Sequence, residues 1–191
     1  EIERASALFA QGLLEQASVL ASEIVDRTEA DATDTANSAE ILQQRRDNEA
    51  AARFELARSL HKRGLQVEAT QHYQLALPLA QQGENRHLEA DILRYWCWNC
   101  YDRAEFDQAL ALNREADRLY RSLGDDLGIG FAYFDRAHID YLHGNITESS
   151  HNYRLALDEF QRVGDRRFEC FSSWNLGLNA RALLQFSDAL R

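Results

Sequence analysis

An all-α fold, an α-α superhelix of antiparallel helical hairpins, is predicted from three observations. Small residues recur with a period of 40, as at Ala69, Ala109, Ser149 and Ala189. Between the recurring glycines, apolar residues follow i, i+3, i+4, i+7 spacing with no strand-like alternation. The 191 residues include one proline and nine glycines, so the residues that interrupt helices are scarce.

The period holds in further registers: Ala76, Ala116 and Ala156, then Ala57, Cys97, Ala137 and Gly177. Gly83, Gly124 and Gly164 keep it within one residue. Gly124-Asp125 and Gly164-Asp165 suit helix junctions, with glycine left-handed past one helix and aspartate capping the next. A second break in each unit is expected at "KRGLQ", "RAEF", "HGNI" and "LLQF". Helices are therefore predicted over 48–63, 66–82, 85–103, 106–123, 126–143, 146–163 and 166–184, with another starting at 186. Small residues at the registers let paired helices approach closely, so Ala116 or Ala156 changed to Leu should overpack that contact by about 1–3 kcal/mol.

The start of the chain is a degenerate version of the same unit. "GLLEQASVLASEIV" (12–25) aligns with "GLQVEATQHYQLAL" (64–77), Gly12 over Gly64 and Ala17 over Ala69. That offset is 52, so about a dozen residues are inserted, and "RTEADATDTAN" (27–37) is polar, acidic and free of apolar spacing. It reads as a loop or as the frayed start of a long helix reaching His61. Pro78 is expected to kink or shorten its helix. The expected organisation is one solenoid domain over 1–191: a degenerate unit 1–26, an insert 27–37, repeats 48–82, 83–123 and 124–163, and a partial repeat 164–191. A chain without an initiator Met, stopping just after Ala189, is expected to be a fragment of a longer protein.

Composition excludes several classes of function. The net charge of −10 and pI near 5.0 repel phosphate backbones, so no nucleic-acid partner is expected. No apolar run reaches the length of a membrane span. Three cysteines at 97, 100 and 170 do not form a secreted disulfide framework, and a reducing cytoplasmic setting is expected.

"NLGLNARALLQFSDAL" (175–190) resembles a tetratricopeptide repeat: Leu176-Gly177, a small residue three on, an aromatic before the second helix, then alanine. The Leu-Gly pair is matched weakly by Leu56-Ala57 and Trp96-Cys97, and Arg136-Ala137 departs from it. The aromatic of the second helix recurs as Tyr73 and Tyr153, with Asn113 between them. The resemblance spans about 48–191, in the 40-residue variety found in bacterial signalling proteins. In that family the first helix of each hairpin lines a concave groove that holds a peptide or partner segment.

Counted from the small-residue registers, the groove positions implied here are Phe54, Arg58, His61 and Lys62 in the first full unit. They continue as Asp91, Arg94, Tyr95, Trp98 and Tyr101, then Phe131, Phe134, Asp135, His138 and Tyr141. The last unit supplies Phe171, Trp174, Asn175 and Arg181. Aromatic anchors with charges of both signs suit recognition of a protein segment, although aromatics of this pattern also pack between neighbouring helices. The family's carboxylate clamp needs Lys, Asn and Asn where this chain has Phe54, Arg58 and Tyr95, so it is absent. A backbone-holding asparagine is matched only by Asn175, after Glu55, Tyr95 and Asp135.

Catalysis is not expected. The six histidines are scattered, His138 and Asp135 form at most a pair without a nucleophile, and no phosphate loop, zinc-protease motif or dinucleotide fingerprint occurs. Cys97 and Cys100 make a Cys-x-x-Cys inside "RYWCWNCYD", but they fall mid-helix at packing registers, away from a helix N-terminus that would activate a thiol. No metal or cofactor is expected. The sequence thus points to a protein-interaction module of a signalling protein, its output domain (a GGDEF cyclase, a kinase or a DNA-binding domain) outside this segment. The occupant of the groove is a protein or peptide, or another domain of the same chain. Two alternatives stand beside it: a small-ligand sensor around Trp98, Phe134 and Trp174, and a self-association module.

Overall fold

The computed structural model describes residues 1–31 and 39–189. These residues form α1 (Ile2–Ala10), α2 (Leu14–Asp31), α3 (Ala39–Lys62), α4 (Gln66–Gln82), α5 (Arg86–Asp102), α6 (Phe106–Leu123), α7 (Asp126–Leu142), α8 (Ile146–Val163) and α9 (Arg166–Ala189), with no strand among them. Two compact units result, Glu1–Ala104 with α1–α5 and Glu105–Arg191 with α6–α9. The fold class is all-α, as the periodicity predicted.

Helices within each unit pack as antiparallel hairpins. Phe134 meets Tyr153 at 5.5 Å between ring centres and Phe131 meets Phe160 at 5.4 Å, so α8 climbs as α7 descends. The small-residue registers lie at these contacts: Ala57, Ala69, Ala76, Ala109, Ala137, Ser149 and Ala156 are all fully buried.

Chain reversal uses a left-handed residue every twenty positions. Positive φ occurs at Gly64, Glu84, Ala104, Gly124, Gly144 and Gly164. After most of them the next N–H donates back five residues, as Leu65 to Leu60, Asn85 to Ala80, Asp125 to Tyr120, Asn145 to Asp140 and Asp165 to Phe160. This closes the helix end and satisfies its last carbonyls. Side-chain caps then start the next helix: Asn85 accepts from the Leu88 N–H, Asp125 from Gly128 and Asp165 from Phe168.

One expectation needs correction, the break at "LLQF". At the junction of α4 and α5 the left-handed residue is Glu84, whereas Gly83 has φ −76°. A Cβ at Gly83 would meet the Asp47 carboxylate, so a larger residue there would have to displace that side chain. The break expected at "LLQF" does not form, and α9 runs unbroken through it to Ala189. A reversal there would put Leu184 in the left-handed region, at about 1–2 kcal/mol; at Glu84 the packing of α4 on α5 offsets that cost. Pro78 does not shorten α4, which continues to Gln82. Of the insert at 27–37, α2 includes the part up to Asp31, and 32–37 lies outside the described residues.

Bonds made by the first helices recur at an offset of 52. The Ser59 hydroxyl donates to the Leu14 carbonyl at 3.0 Å, and the Asn99 amide donates to the Gln66 carbonyl at 3.2 Å. Arg63 donates to the Ser18 hydroxyl at 2.7 Å, and Arg103 donates to Thr70 at 3.2 Å. Leu14 and Ser18 precede Gln66 and Thr70 by 52 positions, whereas Ser59 and Arg63 precede Asn99 and Arg103 by 40. Each bond thus ties the end of one first helix to the opening turn of the second helix in the preceding unit. Asn179 repeats the arrangement, donating to the hydroxyls of Ser149 (2.9 Å) and Ser150 (3.0 Å).

Candidate partner-binding surfaces

In the first unit the predicted residues of α3 and α5 converge, and the chain's own cation sits among them. The Arg58 guanidinium carbon lies 4.0 Å from the ring centre of Phe9, 4.5 Å from Tyr95 and 5.3 Å from Phe54. Arg58 also donates to the Glu55 carboxylate at 2.8 Å and, at 3.4 Å, to the Tyr95 hydroxyl. Phe54 is buried, edge-on to Tyr95 at 5.4 Å. This end of the aromatic set is therefore a cation–π stack around Arg58, with the Arg58 Nε and the second Glu55 oxygen buried without hydrogen-bond partners.

Farther along α5, Arg94, Tyr95, Trp98 and Tyr101 are half-buried. Arg94 lies 5.3 Å from the Tyr95 ring centre, and Trp98 meets Tyr101 edge-on at 5.1 Å. Burial, with a smaller contribution from the Asp102 charge, pushes the Tyr101 phenol up. Beside it the His61 Nε2 and an Asp102 oxygen are 2.7 Å apart. These side chains form one aromatic patch, partly open to solvent and fringed by charge.

In the second unit the predicted positions separate into buried and exposed groups. Phe134 and Asp135 are buried. Phe134 belongs to a cluster with Ala137, Tyr153, Ala156 and Phe160, against which Phe131 and Phe168 pack. His138 is half-buried, its Nδ1 within 3.1 Å of the Phe134 carbonyl oxygen and 2.9 Å of the Tyr153 hydroxyl. Burial holds its imidazole below the usual value, against opposing contributions from the Phe134 carbonyl and Asp135.

The exposed group is Tyr141, Phe171, Trp174 and Arg181, with Asn175 half-buried and donating to the Phe171 carbonyl. Trp174 is 69% exposed and Phe171 44%. Three residues apart, they share one face of α9. The predicted set is thus two surfaces, one on each unit, and each stands on its own residues.

Sequence reasoning missed Phe9. The signal was available: adding 52 to 9 gives 61, the first of the groove positions His61, Tyr101, Tyr141 and Arg181. Cys97 and Cys100 are buried and Cys170 is exposed. Among the described residues no three His, Cys, Asp or Glu side chains are placed to hold a metal ion. None of the described helices is long and apolar enough to cross a membrane.

No family model and no curated protein matches the sequence. Solved structures do. BtubC (BKLC) from P. vanneervenii aligns over 97% of this chain and 72% of its own, with a TM-score of 0.75 and 18% identity. Aspartyl phosphate phosphatase F from Bacillus subtilis aligns over 99% of this chain with a TM-score of 0.78 and 14% identity. The chain spans 48% of that phosphatase's length, about half. At such identities the likeness establishes a shared fold of packed helical repeats.

Proposed function

We propose that this chain is a tetratricopeptide-type interaction module that binds a protein or peptide partner and has no catalytic activity of its own. The observation that carries the proposal is the α9 surface, where Trp174 and Phe171 stand exposed on one face of the helix with Arg181 beyond them. Exposed tryptophan and arginine on a preformed surface are the side chains that dominate protein interfaces. The half-buried Arg94, Tyr95, Trp98 and Tyr101 patch of α5 supplies a second contact of the same chemistry. A role in bacterial signalling, in the cytoplasm and alongside an output domain, is the setting this reading favours. It is supported by the likeness in fold to a protein named as an aspartyl phosphate phosphatase.

The test is selection of binding peptides from a displayed random library, followed by calorimetry on the enriched sequences. Trp174→Ala and Trp98→Ala should each weaken binding by about tenfold or more while helicity is unchanged. Enriched peptides that bind both variants as tightly as the parent would show that the aromatic surfaces are not the site.

A second reading rests on the same helix. Leu183 and Leu184, 44% and 66% exposed, form a second apolar surface on the side of α9 opposite Phe171 and Trp174 and favour self-association. Light scattering across a concentration series would show a rising mass, and a constant monomeric mass would eliminate it.

A further inference from the structure

The two faces of α7 have different chemistry. Phe131, Phe134, Asp135 and His138 lie on the candidate face, whereas Ala132, Tyr133, Arg136 and Asp140 fall on the opposite side at 100° per residue. Those four residues floor a cleft of about 690 Å³ flanked by α6 and α8, within the range of small-molecule sites.

Two of the three acids in this cleft are already paired. Asp140 receives the Arg136 guanidinium at 3.2 Å to each oxygen and the Asn152 amide at 2.8 Å. Asp117 is held by Arg121, which also lies 5.2 Å from the Tyr133 ring centre. What remains at the rim is Arg114 from α6 and Arg154 from α8, both exposed. Neither makes an ion pair or hydrogen bond among the described residues. They are 40 residues apart, the same repeat position on two successive second helices, one on each side of the floor. Glu148 and His151 complete the rim.

We propose that this cleft binds a small organic dianion, its two anionic groups held by Arg114 and Arg154 and its body lying on Tyr133 and Ala132. Two guanidinium forks match carboxylate or phosphate oxygens. The cleft's lining carries three arginines (Arg114, Arg136 and Arg154) and three acids (Asp117, Asp140 and Glu148), and Arg121 behind it pairs with Asp117. On a chain of net charge −10 the site is locally balanced rather than acidic. Pairing Asp117 with Arg121 and Asp140 with Arg136 leaves Arg114 and Arg154 as the cations available to a ligand.

The test is calorimetric titration of the intact chain, at fixed ionic strength, with straight-chain dicarboxylates from succinate to suberate, with pyrophosphate, and with acetate. Binding is expected for a dianion of one preferred span, at least about tenfold tighter than acetate, and the dicarboxylate and pyrophosphate arms separate carboxylate from phosphate chemistry. Arg114→Ala and Arg154→Ala should each weaken it by about tenfold or more. Arg118→Ala, on α6 outside the cleft, should leave it unchanged. Absence of binding by every dianion at about 10 mM, a concentration that would register even millimolar affinity, overturns the proposal, as does equal weakening by Arg118→Ala.

Discussion

Phe9 lies face-on to Arg58, its ring centre 4.0 Å from the guanidinium carbon. It ties the first helix of the chain to the C-terminal end of α3. The contact couples a residue of the most degenerate unit to the charge at the heart of the Phe54–Tyr95 pair. Phe9→Leu keeps an apolar group there and removes the ring face, so it should cost about 1 kcal/mol. Arg58→Ala should cost about 3 kcal/mol, because Glu55 stays buried without its partner. A double-mutant cycle by urea denaturation should give a coupling of about 1 kcal/mol. Simple additivity would mean that the stack contributes nothing.

The bonds between units predict a compensation. Asn99 is fully buried, held at 2.7 Å from the Thr70 hydroxyl. One period on, Leu110 and Ile139 stand at the positions of Thr70 and Asn99, so an apolar pair replaces a polar one. Asn99→Ile alone should cost about 2–3 kcal/mol by leaving buried polar groups unsatisfied. Adding Thr70→Val, which keeps the shape of the side chain and removes its hydroxyl, should recover at least about 1 kcal/mol of that. If the double variant is the sum of its parts or worse, the polar pair is not a unit.

One substitution should act with opposite signs at two glycines. A Cβ at Gly128 would lie 2.1 Å from the Tyr120 ring, and the buried tyrosine has no room to move. Gly128→Ala should therefore destabilise by about 1–3 kcal/mol. Gly177, inside α9, has nothing within 4 Å of its missing Cβ. There the same change should stabilise by about 0.5–1 kcal/mol, the entropy that glycine loses in a helix. Denaturation midpoints of the two variants should move in opposite directions.

His138 should give stability an acid limb. Burial lowers its folded-state pKa, so below the ordinary imidazole value of about 6.5 the unfolded chain binds a proton that the folded chain resists. The stability present above pH 6.5 is then lost as pH falls through the lowered pKa, and above 6.5 this residue contributes no slope. His138→Gln should flatten the profile below pH 6.5 relative to the parent in urea titrations. Identical slopes would assign the effect to other groups.

The repeat was legible because small residues sit where helices touch, and a missing side chain leaves a trace in the sequence. The bonds made by Ser59, Asn99 and Asn179 follow the same period, but Ile139 interrupts it and hides the pattern. Glu84 and Ala104 were also hidden, since a left-handed position is visible in sequence only when glycine fills it. For the candidate surface, periodicity told which face of α7 carries Phe134. It could not tell how far Phe168 of α9 leans over that face, which depends on side-chain volume across two helices. Phe171 and Trp174 stay exposed because they lie farther along α9 than that contact.

Reversals twenty residues apart also govern how the chain tolerates changes of length. One residue inserted within a helix between Gly64 and Gly164 turns every later side chain of that helix by about 100°. Small residues would leave their contacts and bulky ones would enter them. At Gly64, Gly124, Gly144 and Gly164 the backbone is exposed, and no neighbour lies within 4 Å of where a side chain would begin. A peptide tag or a fluorophore site is therefore best accommodated at those four turns, where the helices on either side keep their phase.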